Sequence, residues 1–403
     1  MLGLDVGTEF VKALVFKINE KGKVEIWGVG RCRQKLGDMQ GGAVTDIAGV
    51  VWNCKKAISD AEKMAGCVVS KAIMGIAGEL VKGSTTTVQY ERNNPNTKIT
   101  LGELKNIVHR VQWKAFDQVR SQLAWETGYP EIDVKLVNAA VVDVKIDSYR
   151  ITNPLGFQGK DVSIAIFNAF APLVHLGALQ TIAEELSLDV MAISAEPYAV
   201  SRSVKQDDIN LSAIFIDIGG GTTDIAIVRN GGVEGTKMFA LGGRSFTKRL
   251  AQVLNISFTE AENIKVSYAR GRLDRSSTLK VQKAIAADIA VWISGIEVTL
   301  SDFYNIDLLP SQIYICGGGA GLPEIKEALE KHRWSEDVRF ARKPSVAMIQ
   351  PSDVTYVVDK TGVIDNYQYI TPLALCGLAV DMADDDSAVV SRILKKVIKL
   401  MKT

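Results

Sequence analysis

The stretch FIDIGGGTTDIAIV, residues 215–228, runs as a strand into three consecutive glycines and returns as a strand. The apolar run before the turn carries Asp217, and Gly219, Gly220 and Gly221 follow. Thr222, Thr223 and Asp224 lead back into Ile225, Ala226, Ile227 and Val228. Glycine frees a tight loop to take positive φ, and bare backbone lets an anion reach inward-pointing N–H groups. Residues 2–16, LGLDVGTEFVKALVF, repeat the design: a short apolar strand carries Asp5, turns at Gly7-Thr8 and returns as Val11, Ala13 and Val15. Two such hairpins far apart in one chain predict a two-lobed α/β protein with one hairpin in each lobe. The apolar strands at 162–167 and 212–217 predict sheets covered on both faces.

A hairpin from either side could grip a polyphosphate. Acids beside a phosphate repel it unless a cation intervenes, so Asp5 and Asp217 read as holders of a hydrated Mg²⁺, which uses few carboxylates. Thr8 and Thr222 offer hydroxyls and Lys12 a positive charge to phosphate oxygens. Two other nucleotide signatures fail. The chain has no G-x-x-x-x-G-K-[ST], and both glycine turns return into a β pattern where a dinucleotide fingerprint would open a helix. A purely structural turn explains either hairpin alone but explains the pair poorly. A third glycine turn, Gly317, Gly318 and Gly319 within 317–321, follows the strand at 312–316 and precedes Pro323 at the start of a helix. It is placed to approach the flat face of a base.

Glu262 and Lys265, three apart on a helix, share a face and could contact a ribose. Glu262 is equally readable as the capping-box partner of Thr259. Glu196, in AEPYAV (195–200), precedes a proline that favours an extended conformation for it. There it could position a water toward a terminal phosphate, or simply be a solvated turn acid.

At 403 residues the chain has material for two or more domains. A net charge of +1 gives no reason to expect wholesale binding to nucleic acid. Five scattered cysteines without a C-x-x-C pair, and three histidines, argue against a zinc site and for a reducing cytoplasm. No signal peptide and no window of about 18 uncharged apolar residues are expected from the pattern.

Residues 80–158 read as a separate small unit. Thr100 and Glu103 form a capping-box pattern, and Leu104, Ile107, Val108, Val111, Val119 and Leu123 lie on one helical face. An alternating strand at 134–146 and a turn at Asp147-Ser148 follow. Residues 243–309 read as mainly helical, with Ser245 as an N-cap and a long helix over 278–305.

DVGTEFVKALV (5–15), AEPYAV (195–200), DIGGGTTDIAI (217–227) and ICGGGAGLPEI (315–325) together resemble the motif set of the actin-like ATPase superfamily. Within it the chain resembles the bacterial division actins of the FtsA family over nearly its whole length. GIAGELVKGSTTTV (75–88), ITNPLGFQGKDV (151–162), LGGRSFTKRLA with AENIK (261–265), and YITPLALCGLAV (369–380) carry that likeness. The resemblance implies an α/β, actin-like (ribonuclease H-like) two-lobed fold with a small inserted α+β subdomain. It implies a first lobe from 1–79 and 159–205, the inserted subdomain at 80–158, and a second lobe from 206–243 and 310–380. A helical subdomain at 244–309, an acidic hinge at 381–388 and a terminal helix at 389–403 complete it. It also implies ATP and Mg²⁺ as cofactors. Asp5, Gly7, Thr8, Lys12, Asp217, Gly219, Gly220, Gly221 and Thr222 would face phosphate and metal. Glu262, Lys265, Gly317, Gly318 and Gly319 would face the nucleoside, and Glu196 with Asp217 would serve a hydrolysis that makes the chain at most a weak ATPase.

The tail, VVSRILKKVIKLMK (389–402), separates cleanly on a helical projection. Val390, Ile393, Leu394, Val397, Ile398, Leu400 and Met401 share one face; Arg392, Lys395, Lys396, Lys399 and Lys402 share the other. A basic amphipathic helix of this kind suits an anionic membrane surface; a helix packed on the body or on a partner is the alternative. With such a tail the expected protein is cytoplasmic and peripheral on the inner membrane face, with no nucleic acid; the resemblance further implies self-association and an FtsZ-like tubulin homologue as partner. Two rivals stay open: a PilM-like adaptor of a type IV pilus platform, and a small-molecule kinase of the same superfamily.

Overall fold

The computed structural model describes residues 1–129, 132–204, 210–331, 334–383, and Val390 and Ile393. In chain order the first lobe opens with β1 (Leu2–Val6), β2 (Phe10–Ile18), β3 (Val24–Arg33), the small pair β4 (Met39–Gln40) and β5 (Ala43–Val44), α1 (Ile47–Ala65) and β6 (Lys71–Ile76). An inserted unit follows: β7 (Lys82–Glu91), α2 (Leu101–Thr127), β8 (Val134–Ile146), β9 (Tyr149–Arg150) and β10 (Asp161–Pro172). The chain returns through α3 (Leu173–Glu185), β11 (Asp189–Ala195) and α4 (Glu196–Ser203). The second lobe holds β12 (Ala213–Ile218), β13 (Thr223–Arg229), β14 (Gly232–Phe239), α5 (Gly243–Leu254), α6 (Phe258–Ala269) and α7 (Arg275–Ser301). It continues with β15 (Gln312–Cys316), α8 (Pro323–Lys331), α9 (Trp334–Asp337) and β16 (Ser345–Met348), before β17 (Val357–Asp359) and α10 (Ile370–Ala383).

Two large sheets organise these elements. One has the order β11-β6-β1-β2-β3-β17; the other runs β16-β15-β12-β13-β14-β7-β10-β8-β9. The long apolar strands lie inside, with Leu2, Leu4, Ile214 and Ile216 fully buried, each contributing roughly 1.5–3 kcal/mol by leaving water. A second core forms where α7 covers the β12–β13 face, centred on the fully buried Trp292. Its indole N–H donates to Thr223 Oγ1 at 2.9 Å, and that hydroxyl donates to the Leu241 carbonyl at 2.7 Å. The helical subdomain is thus pinned directly beside the second glycine turn. By length and composition α7 is apolar enough to cross a membrane, but its Val281, Ile285, Ile289, Trp292 and Ile296 fill this core.

Several sequence expectations shift. Strand β10 pairs with β7 and β8, so residues 161–172 extend the sheet of the inserted unit and do not enter the first lobe's. Strand β17 crosses over to pair with β3 in the first lobe. The helix expected over 278–305 occupies 275–301, because Asp274 caps it by accepting from the Ser276 and Ser277 amides. Thr100 does cap α2, but Glu103 turns away to pair with Arg92 at 2.7 Å, so the box is half formed. The segment expected as a hinge from 381 begins inside α10, which runs to Ala383 because its apolar run continues without a glycine stop; 384–388 lie outside the described residues.

Candidate nucleotide site

The two hairpins share the same pairing register around a four-residue turn. In β1–β2, Asp5 lies opposite Lys12 and Val6 opposite Val11; in β12–β13, Asp217 lies opposite Asp224 and Ile218 opposite Thr223. The turns face each other and touch. A Cβ on Gly220 would stand 2.7 Å from Glu9 Cβ, and one on Gly221 2.8 Å from Thr8 Oγ1. None of Gly219, Gly220 and Gly221 has positive φ. The bare backbone there serves close approach of the hairpins, where the sequence had suggested left-handed geometry. The turn also anchors the next helix: the Gly219 and Gly220 carbonyls accept from the Gly243 and Arg244 amides at 2.9 and 2.8 Å. Consequently Gly242 is the N-cap of α5 and Ser245, expected at that position, is inside the helix.

Left-handed backbone does appear in the third turn, where Gly317 has φ 85°. A Cβ on it would stand 2.0 Å from Asp217 Oδ1. On α6 the capping box is Ser257 with Glu260, two residues earlier than the Thr259–Glu262 pattern suggested. Glu262 is thereby freed for the cleft. Its carboxylate accepts from Thr247 Oγ1 and pairs with Lys265 Nζ at 2.8 Å; Lys265 also donates to the Gly243 carbonyl at 2.8 Å.

Between the hairpins, α6 and the third turn lies a cavity of about 670 Å³. Asp5, Gly7, Thr8, Lys12, Glu196, Asp217, Gly219, Gly220, Thr222, Glu262, Lys265, Gly317, Gly318 and Gly319 all face it. Gly221 does not; its place is the contact with Thr8. The cavity is lined further by residues sequence reasoning missed: Asp224, Arg31, Arg33, Arg244, Arg270, Tyr367 and Thr371. Glu9 bridges two of them, at 2.7 Å from Arg33 Nε and 2.7 Å from Arg244 Nε. Arg244 also donates to the carbonyls of Met39, Leu36 and Lys35 at 3.2, 3.5 and 3.4 Å. One guanidinium from the second lobe thus closes onto four groups of the first.

Burial governs the charges. Asp5 is paired with Lys12 at 2.8 Å; burial pulls the ammonium down, but Asp5 outweighs it and the net displacement is upward. Asp217 accepts from Thr371 Oγ1, yet burial raises its proton affinity. Asp224 is pushed up to about 8 by burial and by Asp217 across the ladder. Its Oδ2 accepts from Thr222 at 2.9 Å, while its Oδ1 is buried without a partner. Glu196 is held well above the ordinary carboxylate range by burial, then by Asp5, Asp224 and Asp217. It is buried, and it starts α4 instead of being extended, because the Pro197 that follows is tolerated in a first helical turn.

The buried Asp5, Asp224 and Glu196 and the half-buried Asp217, with Lys12 paired to Asp5, make a site that a divalent cation fits. The orphaned Asp224 oxygen and the raised proton affinities mark a negative field awaiting positive charge. Among the described residues no group of three such side chains is arranged to hold a metal by itself. That suits Mg²⁺, which keeps waters and shares its coordination with phosphates. Asp5 and Asp217 are the side chains that would hold it.

Of the membrane-facing set, Ile393 is described and is 3 % exposed, packed against the inserted unit. Arg392, Leu394, Lys395, Lys396, Val397, Lys399 and Leu400 lie outside the described residues.

Two lobes, paired hairpins and a glycine turn converging on one cleft define the actin-like ATPase fold. A solved PilM–PilN type IV pilus biogenesis complex matches this fold with TM-score 0.65 and 16% identity over 94% of this chain and 98% of that one. The structure of ethanolamine utilization protein EutJ from Carboxydothermus hydrogenoformans matches with TM-score 0.50 and 17% identity over 93% and 88%. Within the fold, the family model for Cell division protein FtsA matches residues 214–374. FtsA of Neisseria meningitidis is 27% identical over 81% of this chain and 80% of its own length, and FtsA of Bacillus subtilis 24% over 88% and 81%. The chain has the actin-like fold and is similar in sequence to FtsA proteins, so the resemblance drawn from its sequence is borne out.

Proposed function

We propose that the chain binds Mg²⁺ and ATP between its lobes and tethers a division filament of the FtsZ type to the inner face of the cell membrane. The observation that carries this reading is the convergence of Asp5, Asp217 and the Gly317–Gly319 turn on one cavity. The hairpin backbones with Thr8 and Thr222 bind phosphate oxygens. When bound, Mg²⁺ supplies the charge that lets triphosphate lie among carboxylates. Glu262 and Lys265 orient the ribose, and the Gly317–Gly319 turn admits the base. Glu196, whose proton affinity is raised by burial and then by Asp5, Asp224 and Asp217, orients a water toward the terminal phosphate. In keeping with the weak hydrolysis that the family resemblance implies, the nucleotide acts as a switch: a ligand touching both lobes favours their closed arrangement and self-association. The terminal helix then provides attachment, each near-surface basic residue contributing about 1 kcal/mol against anionic lipid.

Calorimetry with ATP and Mg²⁺ tests the cleft, and sedimentation with anionic vesicles tests the tether. ATP is expected to raise pelleting, and deleting 389–403 to abolish it. No nucleotide uptake by folded protein overturns the first half; unchanged pelleting after deletion overturns the second. An FtsZ tail peptide is expected to capture the chain. Capture by a pilus-platform peptide instead would make it a PilM-like adaptor, and ATP consumption only with an added sugar or acid would make it a kinase.

A further inference from the structure

We infer that the apolar face of the inserted unit, between α2 and strands β8 and β10, is a docking surface for the chain's own C-terminal amphipathic segment. Docking there and burial in lipid exclude each other. The second statement rests on the membrane reading above; the first does not. Val390 and Ile393 are 1 % and 3 % exposed and belong to the inserted unit's core. Their neighbours in that cluster come from α2 (Leu104, Ile107, Val108), β8 (Val144, Ile146) and β10 (Ile164).

Val390 and Ile393 are three residues apart, which places them side by side on a helix. Both belong to the one apolar face of the segment, shared with Leu394, Val397 and Met401 in the sequence projection. A lipid surface takes that same face, because the opposite one carries Arg392, Lys395, Lys396, Lys399 and Lys402. An apolar side chain leaves water only once, so each destination is reached at the expense of the other. The apparent membrane affinity is then the intrinsic affinity scaled by the undocked fraction. Only residues 384–389 separate α10 from Val390. At most about 3.6 Å per residue, so short a connection makes the inserted unit a nearby competitor for lipid.

The test is hydrogen exchange on the full chain, alone and with vesicles of phosphatidylcholine and phosphatidylglycerol, beside the 389–403 deletion. Deletion is expected to speed exchange of amides in 101–111 and 162–166 on the order of tenfold, and vesicles to do the same. Unchanged exchange after deletion overturns the docking surface. Pelleting with vesicles while those amides stay protected overturns the exclusion. The variant Ile107→Ser supplies a sign, because it loosens the receiving face and leaves the segment itself unchanged: competition predicts more pelleting than wild type, whereas a simple lipid anchor predicts no change. If neither protein pellets, the membrane reading and the exclusion fail together, and the deletion arm still decides the docking surface.

Discussion

The β1–β2 and β12–β13 hairpins carry the same aspartate at the same step and opposite charges across from it. Lys12 faces Asp5 in one ladder; Asp224 faces Asp217 in the other. Like charges directly opposite in an antiparallel pair repel, and here Asp224 is buried and Asp217 half-buried. The first hairpin therefore arrives electrostatically complete, while the second waits on a proton or a cation. A symmetric frame thus yields an asymmetric site, charge-paired on the lysine side and unbalanced on the diacid side.

Breaking the complete hairpin has the largest expected effect. Lys12→Met leaves Asp5 buried and unpaired beside three other carboxylates, and should cost about 3–5 kcal/mol in urea unfolding. Adding Asp5→Asn should recover most of that loss, since the two side chains act as a pair. Next comes the unbalanced side. Asp217→Asn should weaken binding of Mg²⁺ and ATP by about 100-fold in calorimetry, with a smaller change when Mg²⁺ is withheld. The smallest effect sharpens the contrast through pH. Asp224 binds its proton more tightly in the folded state, its pKa rising from 3.8 to about 8. Its contribution to stability is therefore fully present below the unfolded-state value and is lost as pH climbs toward 8. Asp224→Asn should flatten that fall, gaining on the order of 2 kcal/mol at pH 8 relative to pH 5 in thermal melts without nucleotide. An unchanged pH profile would mean that the diacid pair is not what titrates.

The glycine turns were legible because they interrupt strong apolar strands, and fourteen-residue stretches such as 215–228 carry strand, turn and strand in one reading. Asp224 stood in that stretch and was passed over, because only the pairing register reveals that it faces Asp217. Arg244 was invisible for another reason: its partner Glu9 is 235 residues away, and no local pattern reports such a contact. The α6 cap was misplaced because Ser257 and Thr259 both stand three residues before a glutamate, at Glu260 and Glu262, and spacing alone does not choose between them. Strand β17 is three residues long and takes its place from the strand it joins. The tail's amphipathicity was plain, but an apolar face does not say whether lipid or protein will cover it.

Arg244 reaches across to Glu9 and three carbonyls of the opposite lobe. That cluster behaves as a clasp at the lip of the cleft. Parting the lobes at this edge means giving up one ion pair and three carbonyl hydrogen bonds at once.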